Sequence, residues 1–356
     1  MRIAFCWDVI SSYMAACWRE LAARGNVELC VIAVGSNRSR TEFQYSTSIA
    51  DGFNCTLITA DETRDSQEVS SLVNSYSPDI VFLSGWSMPA YVDLAYDKGL
   101  CGIPKVMTMD TNLKRDWRQF LAPLKIGNYL RRMAAIFVPG ERSRQLARYW
   151  GIPEAKIRMG SYAMDYNGFA KAYEARVRQS QWPKAFLFAG QYIERKGLHQ
   201  LLSAYSRYRE SVDGPWPLTV CGSGPLKDLL TGVPGVNDLG FIQPADLPGI
   251  MQRSGVFVHP SLYDPWGVAI AEACAAGLPV LCTSGCASSV ELIRDYYNGI
   301  ALPTGDDRAL HAAMTWMHRN YESLSVMGSN SQAMARPYSA EAWSDRVLSI
   351  VRDVRE

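Results

Sequence analysis

The chain has little net charge and no closely paired cysteines. Among its 356 residues, 36 Lys and Arg balance 35 Asp and Glu, which gives a net charge of +1. This balance argues against a dedicated nucleic-acid binder, because such proteins are usually strongly basic. The nine cysteines include no C-x-x-C pair. Their scatter favours reduced thiols in a cytosolic protein over a zinc site or a disulfide framework.

The sequence also lacks the long apolar stretches of exported and membrane-spanning proteins. No uninterrupted apolar run approaches the length of a transmembrane helix, and residues 1–6 run into a strand-like segment without the apolar stretch of a signal peptide. Hydrophobic residues are nevertheless plentiful, at 48% against 20% charged residues, which is enough for a sizeable core. Because 356 residues exceed one typical domain, we expect a cytoplasmic protein of two domains.

Short apolar runs alternate with helical-looking stretches along almost the whole chain. In the first part, the predicted strands are 2–6, 29–34, 79–83, 105–109 and 135–138. In the second part, they are 185–189, 218–221, 236–239, 256–259, 279–283 and 300–302. Short, continuously apolar runs of this kind are typical of parallel strands that are buried on both faces.

We therefore predict an α/β fold of two facing, Rossmann-like, doubly wound parallel-sheet domains with a cleft between them. The first domain covers residues 1–168 and the second covers 184–337. The polar stretch 169–183 is predicted to be a helix-containing linker, and a helical tail at about 338–356 is predicted to pack on either domain. Ligands of open parallel sheets bind beyond the carboxyl ends of the strands, so the residues that follow strands are the candidates for function.

A polar loop and a predicted helix at 267–276 follow one of these strands. The first N–H groups of this helix, which form a positive end able to hold a phosphate, belong to Gly267, Val268 and Ala269. Glu272 lies inside the otherwise apolar helix, where a carboxylate is costly unless it accepts hydrogen bonds, for example from ribose hydroxyls. The alternative interpretation makes Asp264 a turn residue of the loop and Glu272 a solvated side chain.

Seven residues separate Asp264 from Glu272, and Ala-Gly-Leu-Pro-Val follows at 276–280. In this pattern the chain resembles the family 4 glycosyltransferases, which are retaining enzymes of the GT-B fold. The resemblance implies that Glu272 binds the ribose of a nucleotide-sugar donor. It also implies that Asp264 lies by the donor sugar and the reacting centre, although Asp264 is one methylene shorter than the glutamate that is usual there.

Three further blocks resemble the same family in the same order along the chain. Lys196-Gly197 matches the family's diphosphate-binding turn, while Gln191 stands where an arginine is usual. The resemblance implies donor binding by Gln191, Lys196, Gly222, Gly224, Phe241, Ile242, Gly267, Val268, Ala269 and Glu272. Lys196 would also act in catalysis, because a cation there stabilises the charge of the departing diphosphate.

The first half of the chain matches the family less closely. Many relatives have a Gly-Gly loop after the first strand, whereas this chain has Ser11, Ser12 and Tyr13. Their hydroxyls can contact an acceptor, and the alternative is that Ser12 caps the following helix. Asp110 stands where the family often has histidine, so it would bind sugar hydroxyls or act as a general base. A base in this domain would fit inversion, whereas the second-domain pattern favours retention, and the alternative makes Asp110 a turn or cap residue.

Basic and aromatic residues alternate in the segment 114–132. Such a pattern on a helix suits peripheral contact with an anionic membrane surface. The alternative is an ordinary amphipathic surface helix whose apolar side faces the core.

The resemblance implies transfer of a sugar from a nucleotide diphosphate, UDP or GDP, to a hydroxyl of a saccharide or lipid-linked acceptor in polysaccharide or glycoconjugate synthesis. We expect retention of configuration and no cofactor besides the donor. No metal is expected either, since the chain has no Asp-x-Asp motif. The expected location is the cytoplasm or the inner face of the membrane. Two alternatives stay open, namely a GT-B nucleotide-sugar epimerase or phosphorylase, and a non-catalytic subunit that binds sugar nucleotides.

Overall fold

A computed structural model describes residues 1–34, 47–59 and 65–355. The chain divides into two compact units, the first formed by Met1–Met164 together with Ala340–Glu356 and the second by Asp165–Ser339. Glu356, the last residue of the predicted helical tail, lies outside the described residues.

The first unit is built on a seven-stranded parallel sheet with the order β3-β2-β1-β4-β5-β6-β7. Its strands are β1 (Arg2–Val9), β2 (Glu28–Val34), β3 (Cys55–Ile58), β4 (Ile80–Ser84), β5 (Lys105–Thr108), β6 (Ala135–Val138) and β7 (Ile157–Met159). The helices between them are α1 (Ser12–Ala22), α2 (Ser66–Tyr76), α3 (Pro89–Asp93), α4 (Trp117–Arg131) and α5 (Glu141–Tyr149).

The second unit is built on a six-stranded parallel sheet with the order β10-β9-β8-β11-β12-β13. Its strands are β8 (Phe186–Ala189), β9 (Leu218–Cys221), β10 (Val236–Asp238), β11 (Val256–His259), β12 (Val280–Thr283) and β13 (Gly299–Leu302). Its helices are α6 (Tyr166–Val177), α7 (Leu198–Ser211), α8 (Leu247–Gln252), α9 (Val268–Ala275), α10 (Ser289–Leu292), α11 (Asp307–Arg319) and α12 (Leu324–Ala335). The predicted class, two Rossmann-like parallel-sheet domains, is confirmed.

The last helix, α13 (Ala340–Arg355), packs on the first unit. Trp343 is buried and its indole Nε1 donates a hydrogen bond to the carbonyl of Ser161 at 3.0 Å. Its ring lies 5.7 Å from that of Phe5 in the central strand β1, and Phe5 stacks in turn on Phe82 of β4 at 4.5 Å. Aromatic burial therefore fixes the chain's C-terminal helix on one face of the first sheet.

The segment 169–183 contains most of α6, as a helix-containing linker would, but all of it belongs to the second unit and none of it forms a separate linker. Arg176 of α6 is fully buried and donates hydrogen bonds to the carbonyls that end two other helices, those of Met251 and Gln252 in α8 and of Ala276 and Gly277 after α9. Burial lowers the pKa of this guanidinium to about 9. These bonds satisfy carbonyls that a helix end leaves without partners, so the segment is an integral part of the second unit.

Among the described residues, the helices include none that is both long enough and apolar enough to cross a membrane.

Candidate functional site

Three polar side chains meet at the carboxyl edge of the second sheet. Lys196 ends the short turn after β8, His259 is the last residue of β11, and Asp264 follows in the next loop. The Nζ atom of Lys196 lies 2.5 Å from Oδ2 of Asp264, and Nε2 of His259 lies 3.1 Å from the same oxygen. Gly197 allows the turn that contains Lys196 to pack closely against the loop of Asp264. It adopts a left-handed φ of +74°, and a Cβ there would lie 2.1 Å from the carbonyl oxygen of Pro260.

The charges in this cluster follow from burial and from the ion pair. Burial by itself would raise the pKa of Asp264, but the ammonium of Lys196 and the hydrogen bond from His259 outweigh it and hold that pKa well below its usual range. Burial lowers the pKa of His259, so its imidazole is neutral at pH 7. Since an ionised carboxylate only accepts hydrogen bonds, Nε2 of His259 is assigned as the donor to Asp264. The cluster is thus a buried Lys⁺–Asp⁻ pair braced by a neutral histidine.

The helix α9 begins next to this cluster. Gly267 precedes it in a left-handed conformation with φ of +87°, and no side chain caps its N-terminus among the described residues. The N–H groups of Val268 and Ala269, which were predicted to bind phosphate, therefore lie in the first turn of α9. The positive end of the helix dipole favours an anion there.

Glu272 lies one turn further along α9. Burial, with a smaller contribution from the carboxylate of Asp165, raises the pKa of Glu272 to about 7. Its carboxylate makes no hydrogen bond to any residue that the structure describes. A half-buried carboxylate without donors is destabilising unless a ligand supplies them.

The other predicted donor residues lie at the ends of β8, β9 and β10. Gln191 follows β8, and the glycines Gly222 and Gly224 follow β9. Gly222 is required sterically, since its φ is +156° and a Cβ would lie 1.9 Å from the carbonyl oxygen of Gly190. Phe241 and Ile242 lie in the loop that follows β10, which ends at Asp238.

The first unit has a cavity of about 350 Å³ at the carboxyl edge of its own sheet. Its walls are formed by Trp7, Asp8, Ser84, Gly85, Trp86, Ser87, Thr108, Met109, Asp110, Thr111, Ser161 and Tyr162. Three neighbouring strands each bring one polar side chain, with Asp8 near the end of β1, Ser84 at the end of β4 and Asp110 just after β5. The predicted residue Asp110 accepts a hydrogen bond from the Tyr162 hydroxyl at 2.9 Å.

Sequence reasoning missed several members of these sites. His259 entered only as the end of a strand, and Asp8 and Ser84 were not considered. The sequence carried a signal for Asp8 and Ser84, because each lies at or near the carboxyl end of a buried parallel strand. Ser84 is the more informative, since its Oγ is buried and makes no hydrogen bond to a described residue.

The predicted acceptor residues Ser11, Ser12 and Tyr13 do not line the cavity. Ser11, not Ser12, is the N-cap of α1, and its hydroxyl accepts a hydrogen bond from the N–H of Met14 at 3.4 Å. Ser12 is the first helical residue, and the ring of Tyr13 packs edge-on against Tyr162 with 5.5 Å between ring centres. Tyr13 therefore packs against a residue of the cavity wall.

Comparison with known proteins relates the second unit to a described family. Residues 172–334 match the model of the family "Glycosyl transferases group 1". Over 197 residues the chain is 28% identical to D-rhamnosyltransferase WbpZ of Pseudomonas aeruginosa, covering 51% of this chain and 49% of that protein. Over 179 residues it is 28% identical to O-antigen chain mannosyltransferase B of Escherichia coli, covering 48% and 46% respectively. The chain spans about half the length of these curated relatives.

Solved structures match the fold over nearly the whole chain. Anabaena Alr3699/HepE in complex with UDP has a TM-score of 0.75 at 16% identity, covering 98% of this chain and 99% of that one. Sucrose-phosphate synthase from Thermosynechococcus elongatus also has a TM-score of 0.75, at 15% identity, covering 99% and 98%. At these identities the likeness concerns the fold, and it agrees with the predicted GT-B class. The likeness to the glycosyl transferases group 1 family thus extends over residues 172–334, within the second unit.

Proposed function

We propose that this protein transfers a sugar from a nucleoside diphosphate to a hydroxyl group of a saccharide or lipid-linked acceptor in glycoconjugate synthesis. The observation that carries the proposal lies on one helix, where the described residues provide neither a side-chain cap for the N-terminus nor, one turn later, a hydrogen-bond donor for the carboxylate of Glu272. A nucleoside diphosphate supplies what both features lack, with phosphate oxygens for the N–H groups of Val268 and Ala269 and ribose hydroxyls for Glu272.

Lys196 contributes to diphosphate binding as a hydrogen-bond donor. Its ammonium has three N–H groups, of which one is directed at Asp264, so two are left for phosphate oxygens. Because Asp264 neutralises this lysine, the attraction for the diphosphate comes chiefly from the helix N-terminus, and Lys196 adds directed bonds that strengthen as the leaving group gains charge.

Asp264 faces the donor sugar in this proposal. The contacts of its carboxylate with described residues all go to Oδ2, which leaves Oδ1 for a sugar hydroxyl. The ion pair keeps that oxygen charged at neutral pH, and a charged acceptor makes the stronger hydrogen bond. We assign the donor nucleotide as UDP or GDP, and the reaction as retaining and independent of metal, in keeping with the family pattern around Asp264 and Glu272.

The cavity of the first unit is proposed to hold the acceptor. Its polar atoms include the carboxylates of Asp8 and Asp110 and the hydroxyl of Ser84, which has no partner among the described residues, and no described Lys or Arg lines it. Carboxylates accept hydrogen bonds from neutral hydroxyls and repel phosphates, so the cavity suits the sugar end of an acceptor. Asp110, which accepts a hydrogen bond from Tyr162, would bind the reacting hydroxyl.

Two serine substitutions separate structural from acceptor-binding roles in the first unit. Ser11→Ala removes a helix N-cap and should lower the free energy of unfolding by about 1 kcal/mol without changing the KM for acceptor. Ser84→Ala removes a hydroxyl that has no partner among the described residues, so it should leave stability unchanged and raise the acceptor KM severalfold. Chemical denaturation and initial rates measure the two effects, and the reverse outcome would return Ser11 to the acceptor site.

The proposed activity is tested by following donor consumption directly. Purified protein is incubated with UDP-sugars and GDP-sugars, with and without saccharide acceptors, and products are identified by mass spectrometry and by the anomeric signals in NMR spectra. We expect transfer that requires an acceptor. Conversion of the donor without acceptor would show an epimerase, conversion only with phosphate a phosphorylase, and donor binding without turnover a non-catalytic subunit.

A further inference from the structure

The helix α4 of the first unit presents large apolar side chains to solvent. Trp117 is 69% exposed, Phe120 69%, Leu121 43% and Leu124 85%. Their spacing of three and four residues places all four on one side of the helix, and this set is called the outer face of α4 below. A helix on a protein surface ordinarily turns such a stripe inward, so the alternative of an amphipathic helix with its apolar side in the core is excluded for these four residues.

Polar contacts fix the opposite side of α4 on the protein. Gln119 is buried, and its side chain donates a hydrogen bond to the carbonyl of Asn112 and accepts bonds from the N–H groups of Lys114 and Arg115. The buried Tyr129 donates its hydroxyl to the carbonyl of Gly85 at 2.9 Å. These hydrogen bonds fix the rotation of α4 about its own axis, and the outer face therefore points to solvent.

Positive charge surrounds the outer face. Between positions 114 and 132 the chain has six basic residues, Lys114, Arg115, Arg118, Lys125, Arg131 and Arg132, and a single acidic one, Asp116. The carboxylate of Asp116 is engaged in capping α4 through the N–H of Gln119. The guanidinium of Arg118 lies over the Trp117 ring at 5.5 Å, which places a charge directly beside the apolar stripe.

We propose that the outer face of α4 docks on the surface of a lipid bilayer that contains anionic lipids. Apolar side chains on one side of a helix, with basic residues at its margins, allow the helix to lie in the plane of the interface. The apolar groups enter the acyl boundary while the ammonium and guanidinium groups meet lipid phosphates. A second copy of this chain fits less well, because its outer face would bring the same positive charges against these.

Docking through α4 would also hold the first-unit cavity near the bilayer. Tyr129 of α4 is bonded to Gly85, and Gly85 is part of the cavity wall. This consequence rests on the proposed function, since it implies an acceptor that is presented from the membrane. The docking itself does not, because vesicle binding can be measured without donor, acceptor or turnover.

The test is co-sedimentation of the full chain with vesicles of phosphatidylcholine, with and without phosphatidylglycerol. We expect binding that requires phosphatidylglycerol and weakens as salt is raised. The triple variant Trp117→Ser, Phe120→Ser, Leu124→Ser should lose at least tenfold in vesicle affinity. The matched control is Leu57→Ser, Val290→Ser, Val326→Ser, which removes three side chains that are each more than half exposed elsewhere on the surface and should bind as the wild type does.

A second variant tests the charge contribution by itself. Arg118→Glu with Lys125→Glu keeps the apolar stripe and should reduce binding to anionic vesicles at least tenfold. Circular dichroism and thermal melting check that every variant is folded. Absence of vesicle binding, equal binding to both lipid compositions, or unchanged binding by the triple variant would each overturn the proposal. Self-association of the wild type that the triple variant abolishes, measured by analytical ultracentrifugation, would overturn it in favour of a second copy.

Discussion

Replacing Glu272 by glutamine should make the folded protein more stable above pH 7 and weaken its binding of the donor. The pKa of Glu272 is raised to about 7 from an ordinary value of 4.5 by burial and by Asp165. Between these two pH values the unfolded chain releases this proton while the folded chain retains it, so the wild type loses stability as the pH rises from 4.5 through 7. Glutamine cannot ionise, and Glu272→Gln should therefore gain about 3 kcal/mol above pH 7 and nothing below 4.5.

Thermal melting as a function of pH measures the gain in stability. The matched control is Glu210→Gln, which neutralises an exposed glutamate on α7 and should leave the pH dependence of the melting temperature unchanged. A Glu272→Gln variant that melts like the wild type at every pH would contradict the burial of an unpartnered carboxyl group.

The same substitution should weaken donor binding ten- to a hundredfold. The ribose hydroxyls then meet a neutral amide oxygen in place of a carboxylate, and charge-assisted hydrogen bonds are worth about 1.5–3 kcal/mol. Because the donor favours the ionised form of Glu272, its binding near pH 7 should release a proton in the wild type and none in the variant. Calorimetry in two buffers of different ionisation enthalpy measures this proton, and equal release by both proteins would remove Glu272 from the donor site.

Replacing Lys196 by methionine should both destabilise the second unit and abolish donor binding. The carboxylate of Asp264, whose side chain is 11% exposed, would be left beside a neutral imidazole. Removing one partner of a buried ion pair costs about 3–5 kcal/mol. The exposed lysine Lys227 provides the control, since Lys227→Met should change neither property.

Acid should change the stability of the wild type and of the Lys196→Met variant in opposite directions. In the wild type the pKa of Asp264 lies below its ordinary value of 3.8, so the unfolded chain binds the proton first and stability falls as the pH drops below about 4. Without Lys196, burial should raise the pKa of Asp264, and acid should then stabilise the variant relative to neutral pH. Denaturation at acidic and neutral pH checks this, and an unchanged slope would show that the two side chains are not paired.

A double variant separates stability from donor binding. Lys196→Met with Asp264→Leu replaces the ion pair by apolar groups of similar size, an exchange that is often neutral or stabilising in protein interiors. We expect recovery of most of the lost stability and no recovery of donor binding, as measured by denaturation and by calorimetry. Recovery of donor binding would show that neither side chain contacts the diphosphate or the sugar.

The central strands of both sheets were predictable from the sequence. All six strands of the second unit lie within one residue of their predicted ends, because strands covered on both faces are continuously apolar. β3 and β7 were missed, and both are edge strands of the first sheet that are short and only partly buried. An edge strand has one neighbour and less need of apolar residues, so it leaves a weaker pattern.

The helix that contains Glu272 was also predictable, because its features depend on residues that are near one another in the sequence. The helix of Glu272, its glycine start and its position after a strand depend on neighbours within about ten residues, and the sequence displays those neighbours directly. The pairing of Lys196 with Asp264 joins residues 68 positions apart. The order of β8 and β11 in the sheet brings them together, and no local spacing carries that information.

The direction in which a side chain faces was decided by the tertiary structure alone. The polar segment that contains Arg176 resembled a linker, yet that arginine is buried because two helix ends present carbonyls to it. The periodicity of α4 predicted an apolar stripe and a basic margin, but periodicity is the same whichever side faces the core. Hydrogen bonds of Gln119 and Tyr129 turn the stripe outward. The chain length and the alternation of short apolar runs with helical stretches thus predicted two α/β domains, whereas contacts distant in sequence determined which charges are paired and which surface is exposed.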